Sequence, residues 1–184
     1  MKKLLLSAVA AVMALFMMSC GGPKVNELSI KDFSANAKDF VGQEVSIKGV
    51  ANHICSHSGR KLFLVSPDGG DAMVTVFTNP EMAPFDRETI GKTYTVNGVV
   101  KITQTIDAAY LDAWEAEVMK AIEEGQMPEE EHCGTEAKAA GLEVDEQAEN
   151  QELAQIKQLR ARIEANNGEP IHFYHVECND FTIE

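Results

Sequence analysis

Three side chains whose chemistry suits a metal ion lie within five residues of one another: His53, Cys55 and His57. They continue an alternating apolar stretch that predicts a β-strand, in which every second side chain points to the same face, about 6.5–7 Å apart. Two imidazoles and one thiolate are ligands that zinc, copper and nickel ions accept. Because a straight strand spaces the three groups too widely to share one ion, the strand must curl near His57, where Ser58 and Gly59 favour a turn. We therefore predict a zinc or copper site here.

The final apolar stretch of the chain offers a fourth ligand for this site. Cys178 is the first choice, because the last strand of a small barrel runs within its wall. His172 shares a strand face with Cys178, whereas His175 lies on the other face, and a further His-Cys pair stands at positions 132–133. The predicted metal ligands are His53, Cys55, His57 and Cys178.

Other interpretations of the same residues remain open. Thiols of exported proteins are readily oxidised, so Cys55 and Cys178 are also candidates for a plain disulfide. A further interpretation is that Cys55 is a small buried side chain that packs like an apolar residue. In the same interpretation, His53 and His57 are exposed residues at the rim of the barrel. A nucleophilic pair of Cys55 and His57 is the remaining enzymatic hypothesis. Since the sequence has no glycine-rich phosphate loop, serine elbow or HExxH motif, we do not predict an enzyme.

The first residues have the composition of an export signal. Two lysines precede an apolar run over residues 4–18 that is short for a membrane span. A small residue, Ser19, stands directly before Cys20, and this ending resembles the bacterial lipobox. The resemblance implies a signal peptide over residues 1–19, a lipid on Cys20 that anchors the chain to a membrane, and a tether over residues 20–35. Ordinary cleavage near Ser19 is the alternative.

The elements that must position these residues are mostly strands. Alternating apolar residues predict four strands in succession, with a proline-containing connection before the fourth, and one more strand closes the chain. Before that last strand the apolar period becomes helical, with one helix beginning at Asp107 and a second over about 143–166. This order predicts that residues 36–184 are a mainly β domain, a five-stranded OB-fold-like Greek-key barrel with an acidic two-helix insertion at 107–168 between strands 4 and 5. Gly49 fits the bend that the first strand of such a barrel needs.

The charge of the chain is strongly negative and unevenly distributed. The net charge is −13 at pH 7, and residues 107–152 hold 15 of the 29 acidic residues with only two lysines. Because phosphate attraction supplies most non-specific affinity for nucleic acid, nucleic acid is disfavoured as a partner. Phe63, Phe77 and Tyr94 are the candidate residues for stacking on such a ligand, and the only clustered cations near them are the Arg-Lys pair at 60–61.

Several motifs together resemble a known group of proteins. They are the glycine-valine pattern of residues 42–49, the His-x-Cys-x-His segment with its Ser-Gly-Arg-Lys continuation at 53–61, and the Gly-Lys-x-Tyr-x-Val pattern at 91–100. With weaker matches at 109–115 and 173–178, they resemble small exported OB-fold lipoproteins of Bacteroides-type bacteria. The resemblance implies an OB fold and a place in the cell envelope, and it implies no established activity.

Together these patterns predict a binding module of the cell envelope. It would be held at the outer membrane or the periplasmic face by a lipid on Cys20, and it would bind a transition metal at the 53–57 segment. The alternative is an interaction scaffold, in which the acidic insertion presents Tyr110 and Trp114 to an envelope protein. In that case Cys55 and Cys178 form only a structural disulfide.

Overall fold

The computed structural model describes residues 25–125, 134–143 and 150–184. The predicted signal peptide, Cys20 and the His-Cys pair at 132–133 lie outside the described residues. In the described part of the chain, no helix combines the length and the apolar character that crossing a membrane requires. The elements are β1 (Asn26–Leu28), α1 (Ile30–Asn36), β2 (Glu44–Ile54), β3 (Lys61–Val65), β4 (Met73–Thr78), β5 (Thr93–Ile106), α2 (Ala108–Glu123), α3 (Gly134–Ala139), α4 (Gln151–Ala165) and β6 (Ile171–Ile183).

Five of the strands close into a barrel. The order is β2-β3-β4-β6-β5, and pairing between β2 and β5 joins the two ends. These neighbours are antiparallel except β4 and β6, which run parallel through three residue pairs at 76–78 and 176–178. This is the strand order of an OB-fold barrel. The predicted fold class, with helices inserted before the last strand, is therefore confirmed.

β2 serves both sides of the barrel because it changes partner along its length. Its first half pairs with β5 and its second half with β3. The register of the second pairing shifts between Ala51 and His53, and such an irregularity bends a strand. The sequence predicts this bend at Gly49. That glycine instead makes room for a neighbour, since a Cβ there would lie 2.6 Å from Ile30 Cδ1.

The segment before the barrel is part of the fold, which corrects the prediction of a tether over residues 20–35. Residues 26–28 form β1, which pairs in parallel with β2. Ser29 is the N-cap of α1, and Ile30 and Phe33 of this helix are buried against the barrel. A helix of seven residues is too short to produce a clear apolar period, so its sequence suggested only a connecting segment.

Three details of the elements differ from the sequence prediction or add to it. β2 ends at Ile54, short of the predicted end at His57, because the chain enters a turn after it. The proline-containing connection between β4 and β5 includes one 3-10 turn at Arg87–Thr89. Besides the two predicted helices, the insertion contains a third helix, α3.

The insertion has a hydrophobic core of its own. β5 and β6 continue past the barrel as a two-stranded arm, and Ile106 and Phe173 on this arm pack against the helices. Leu111 of α2 and Leu159 of α4 are buried in this second core. The barrel core and the second core are separate clusters of side chains, and the outer face of β3 and β4 lies between them.

Candidate functional site

The predicted metal ligands around position 55 lie at the end of β2 and in the turn that follows. His53 is half-buried and pairs across the sheet with Phe63, their ring centroids being 5.8 Å apart. Cys55 is already in the turn, where its N–H donates to the carbonyl of Lys61 and its own carbonyl accepts from Gly59 N–H, each at 2.9 Å. His57 is exposed in the same turn. The strand geometry assumed for all three residues therefore holds for His53 alone.

Cys178, the predicted fourth ligand, belongs to the barrel core. Its side chain is fully buried, and its Sγ donates to the carbonyl of Asp180 at 3.2 Å. Burial, reinforced by the nearby Asp180 carboxylate, raises the pKa of the Cys178 thiol to about 12. This thiol is neutral and inert at physiological pH.

The two cysteines do not meet. Cys55 lies in the turn that follows β2, whereas Cys178 lies on β6, which pairs with β4 and β5 and not with β2. Cys55 and Cys178 are both free, so the disulfide considered above is not formed between them.

The structure does not bring Cys178 to the other three predicted metal ligands. Among residues 25–125, 134–143 and 150–184, no group of three or more His, Cys, Asp and Glu residues converges as a metal site would require. Cys178 points into the barrel core while Cys55 lies in a turn at its rim, so strand topology separates ligands that spacing alone had grouped. Zinc or copper binding by His53, Cys55 and His57 stays a prediction from sequence.

A cleft lies elsewhere, between the barrel and the insertion. It has a volume of about 570 Å³, and it is lined by the outer face of β3 and β4, by α3 and α4, by the arm of β5 and β6, and by α1 at one end. We call it the interdomain cleft. Its lining residues come from separate segments between Phe33 and Tyr174, on both the barrel and the insertion, so it exists only when both cores are formed.

The barrel wall of the interdomain cleft carries two outward-facing phenylalanines. Phe63 lies between Leu62 and Leu64 of the barrel core, so it points to the opposite, outer face. Phe77 does the same on β4, where its ring makes an edge-on contact of 4.7 Å with His175 of β6. Burial is the main cause that lowers the pKa of His175, which keeps this imidazole neutral near pH 7.

The opposite wall is built by the insertion. Trp114 of α2 and Phe173 of β6 contribute apolar surface, and the buried Leu159 of α4 lies behind them. The guanidinium of Arg162 lies 5.8 Å from the centre of the Phe173 ring, and it donates a hydrogen bond of 2.8 Å to the carbonyl of Ala140. This arginine therefore ties α4 to the end of α3 and stands at the edge of the aromatic surface.

The charges in the interdomain cleft differ from those of the whole chain. Among the described lining residues the charged side chains are Lys61, Arg162 and Glu136. Lys61 forms an ion pair with Glu136 of α3, and its Nζ lies 5.2 Å from the centre of the Phe77 ring. An acidic protein thus holds a cleft with two cations, one carboxylate and aromatic walls, an arrangement suited to a flat ligand with an acidic group.

The sequence had already indicated some of these residues as candidates for stacking on nucleic acid. Phe63, Phe77 and Lys61 line the cleft, but Phe63 is only 1% exposed, so Phe77 is the stacking candidate beside Lys61. Tyr94, the third aromatic candidate, is instead buried inside the barrel with its hydroxyl bonded to Thr89. Arg60, the first cation of the pair at 60–61, has a structural role, since its guanidinium donates hydrogen bonds to the carbonyls of residues 79 and 82. The cleft itself was missed, because no local pattern shows that α3 lies over β4.

Comparisons with known proteins identify no family for this chain. No family model matches it, and no curated protein matches it. Among solved structures, one match is the crystal structure of the telomere capping protein Ten1 from Saccharomyces pombe. It has 13% sequence identity and a TM-score of 0.32, and the match covers 54% of this chain and 99% of Ten1.

The prediction that nucleic acid is disfavoured as a partner rested on net charge, and it is corrected because the net charge of the chain does not describe the interdomain cleft. The physical reason for the correction is the distribution of charge. The acidic residues are concentrated in the insertion segment, whereas the interdomain cleft contains two cations and one carboxylate among its described lining residues. The net charge of the whole chain therefore does not exclude an acidic ligand at this cleft. At this level of similarity the match to Ten1 shows a likeness only and identifies no ligand for this chain.

Proposed function

We propose that this protein is a lipid-anchored binding module of the cell envelope that binds a ligand with a flat apolar group in the interdomain cleft. The observation that carries the proposal is Phe77, a half-buried phenylalanine on the outer face of β4 that lines the same cleft as Trp114 of the insertion. Aromatic side chains favour stacked or edge-on contacts with other rings.

Size and position support the same proposal. A volume of about 570 Å³ lies within the range of small-molecule sites. OB-folds bind oligonucleotides and oligosaccharides on this part of the barrel, between the connection after the first barrel strand and the connection before the last. In this chain the second connection is the helical insertion, which makes an open face into a walled cleft.

The membrane anchor is proposed from the sequence alone. The apolar run at 4–18 and the Ser-Cys ending support a lipid on Cys20, and residues 21–24 would then link the lipid to β1. A chain expressed with its leader in a Gram-negative host and fed an alkyne-tagged palmitate is expected to carry the label. The Cys20→Ser variant is expected to lose both the label and its membrane fraction. A labelled Cys20→Ser protein would remove the anchor from the proposal.

Ligand binding is tested with the only tryptophan of the chain. Ligand-detected NMR is expected to find binders among one-ring and two-ring aromatic fragments. In protein-detected spectra, these binders are expected to shift the indole N–H resonance of Trp114. Phe77→Ala is expected to weaken these binders about tenfold, the effect of losing one stacking contact. Ile90→Ala is the control, because Ile90 is an exposed apolar residue outside the cleft. If no fragment moves the Trp114 signal, or if both variants act alike, the cleft is not a binding site.

A second function is favoured by one observation on α2. Met119 and Ile122 are 45 and 39% exposed on this helix, and neither lines the cleft. The scaffold hypothesis therefore stays a candidate, with an envelope protein as partner. Met119→Ser combined with Ile122→Ser should abolish capture of that partner while leaving fragment binding in the cleft unchanged. Capture that survives both substitutions contradicts it.

A further inference from the structure

Lys61 has a special position in the interdomain cleft. It lies at the start of β3, directly across the sheet from Phe77, and its side chain is only 24% exposed. Its ammonium group therefore lies beside the face of an aromatic ring in the cleft wall. A ligand ring stacked on this wall would bring its substituents within reach of Lys61.

The counterion of Lys61 is supplied by the insertion and not by the barrel. Glu136 belongs to α3, 75 positions further along the chain, and its side chain is 44% exposed. A partly exposed ion pair of this kind contributes little to stability. Glu136 thus supplies a partly exposed carboxylate of the insertion to the Lys61 ammonium group in the cleft wall.

Arg162, the other cation of the cleft, is engaged differently. Its guanidinium donates to the Ala140 carbonyl and lies over the Phe173 ring, so it already has a backbone partner. Lys61 has the more replaceable partner of the two, because an exposed carboxylate is readily exchanged for another carboxylate.

We propose that the ligand of the interdomain cleft is an aromatic carboxylate, whose ring stacks on the Phe77 wall and whose acidic group replaces Glu136 on Lys61. This inference rests on the proposed function of the cleft. Lys61 is then the residue that selects anionic over neutral ligands. Glu136 is a built-in competitor that sets how tightly an acidic ligand binds.

The experiment compares two probes of the same shape, 2-naphthoate and neutral 2-naphthamide, by titration calorimetry on the full chain. The unmodified protein is expected to bind 2-naphthoate more tightly. Glu136→Gln is expected to strengthen 2-naphthoate binding about fivefold, as expected from removing a competing, partly exposed ion pair. The same variant should leave 2-naphthamide binding unchanged.

Lys61→Met keeps the apolar stem of the side chain and removes its charge. It is expected to weaken 2-naphthoate about tenfold, to leave 2-naphthamide unaffected, and to abolish the gain from Glu136→Gln in the double variant. Lys61→Arg should restore the preference for the anion. Lys48→Met and Glu184→Gln are the matched controls, since these two residues form an ion pair outside the cleft.

The outcomes separate this inference from the proposed function. Binding of 2-naphthamide equal to or tighter than that of 2-naphthoate, or a Glu136→Gln variant that loses affinity for 2-naphthoate, overturns the role of Lys61 while the cleft remains a binding site. If neither probe binds and Trp114 reports no other fragment, the proposed function and this inference both fail.

Discussion

The barrel and the insertion are stabilised in different ways. The barrel core consists of side chains such as Val45, Leu64 and Val96 that are fully buried inside a closed sheet. The second core is a layer of helices on the arm of β5 and β6, and charged residues join α2 to α4 at its surface: Arg160 pairs with Asp112 at 2.8 Å and Glu115 at 2.6 Å.

The difference shows how an added segment can give a small barrel a binding site. The strand pairs that close the barrel, β2 with β5 and β4 with β6, use residues outside the insertion. We therefore expect the barrel to tolerate damage to the second core. The interdomain cleft needs both regions, so the function is more sensitive to the insertion than the fold is.

The largest expected effect comes from closing the space at Gly98, where β5 and β6 approach within the barrel. A Cβ at Gly98 would lie 2.2 Å from the carbonyl oxygen of Glu177 and 2.7 Å from Val176 Cγ1. Gly98→Ala should lower the free energy of unfolding by about 3 kcal/mol or more, because backbone must move. Urea denaturation followed by circular dichroism measures this loss.

Gly125→Ala is the control for that substitution. Gly125 follows α2 at a φ of +68°, and no atom of the described residues lies within 4 Å of the place that an added Cβ would take. Only backbone strain of about 1–2 kcal/mol is therefore expected. Equal losses at the two glycines would contradict the close approach of β5 and β6.

Truncating one leucine in each core sharpens the comparison of the two regions. Leu64→Ala in the barrel and Leu159→Ala in the insertion remove side chains that are 0 and 1% exposed, and each should cost about 3 kcal/mol locally. Hydrogen exchange should accelerate throughout the barrel in the first variant, but only in α2, α4 and the arm in the second. Faster exchange in β2 and β3 of Leu159→Ala would show that the two regions unfold as one.

Removing the Cys178 thiol is expected to have a smaller, pH-dependent effect on the free energy of unfolding. Burial raises the pKa of Cys178 from its ordinary 9.0 to about 12, so the folded protein holds a proton that the unfolded chain releases. The stability contribution of this group is complete below pH 9 and is lost as the pH rises from 9 towards 12. Cys178→Ala should therefore flatten the fall of unfolding free energy in this window.

Alkylation provides an independent measurement on the same residue. At about pH 8, iodoacetamide should modify the half-buried Cys55 of the native protein and spare the fully buried Cys178. Peptide mass mapping after digestion identifies the labelled site. Rapid labelling of Cys178 in the native state would contradict its place in the barrel core.

The smallest effect is expected at the surface of the insertion. Asp112 and Glu115 raise the pKa of Arg160 by accepting its hydrogen bonds, but these ion pairs are exposed to solvent and screened by salt. Arg160→Met should lower the melting temperature of the insertion slightly in dilute buffer and not at all in about 1 M salt. A loss that persists in high salt would assign Arg160 a packing role instead.

The fold was predictable because its signals are local. Alternating residues such as Val45 and Ile47, or Tyr94 and Val96, identify strands wherever the chain ends up, and the order of strands and helices leaves few topologies. The relative position of Cys55 and Cys178 was not predictable in the same way, because it depends on which strands lie between them.

The sequence by itself determined the kinds of elements, their order, the acidic character of the insertion and the presence of aromatic residues on β3 and β4. Only the tertiary structure decided that α1 packs into the barrel, that Tyr94 turns inward while Phe77 turns outward into a cleft, and that Glu136 reaches Lys61. The physical reason is distance along the chain. Alternation and helical period act over a few residues, whereas the contacts that build the cleft join residues far apart in sequence, and closure of the barrel selects them.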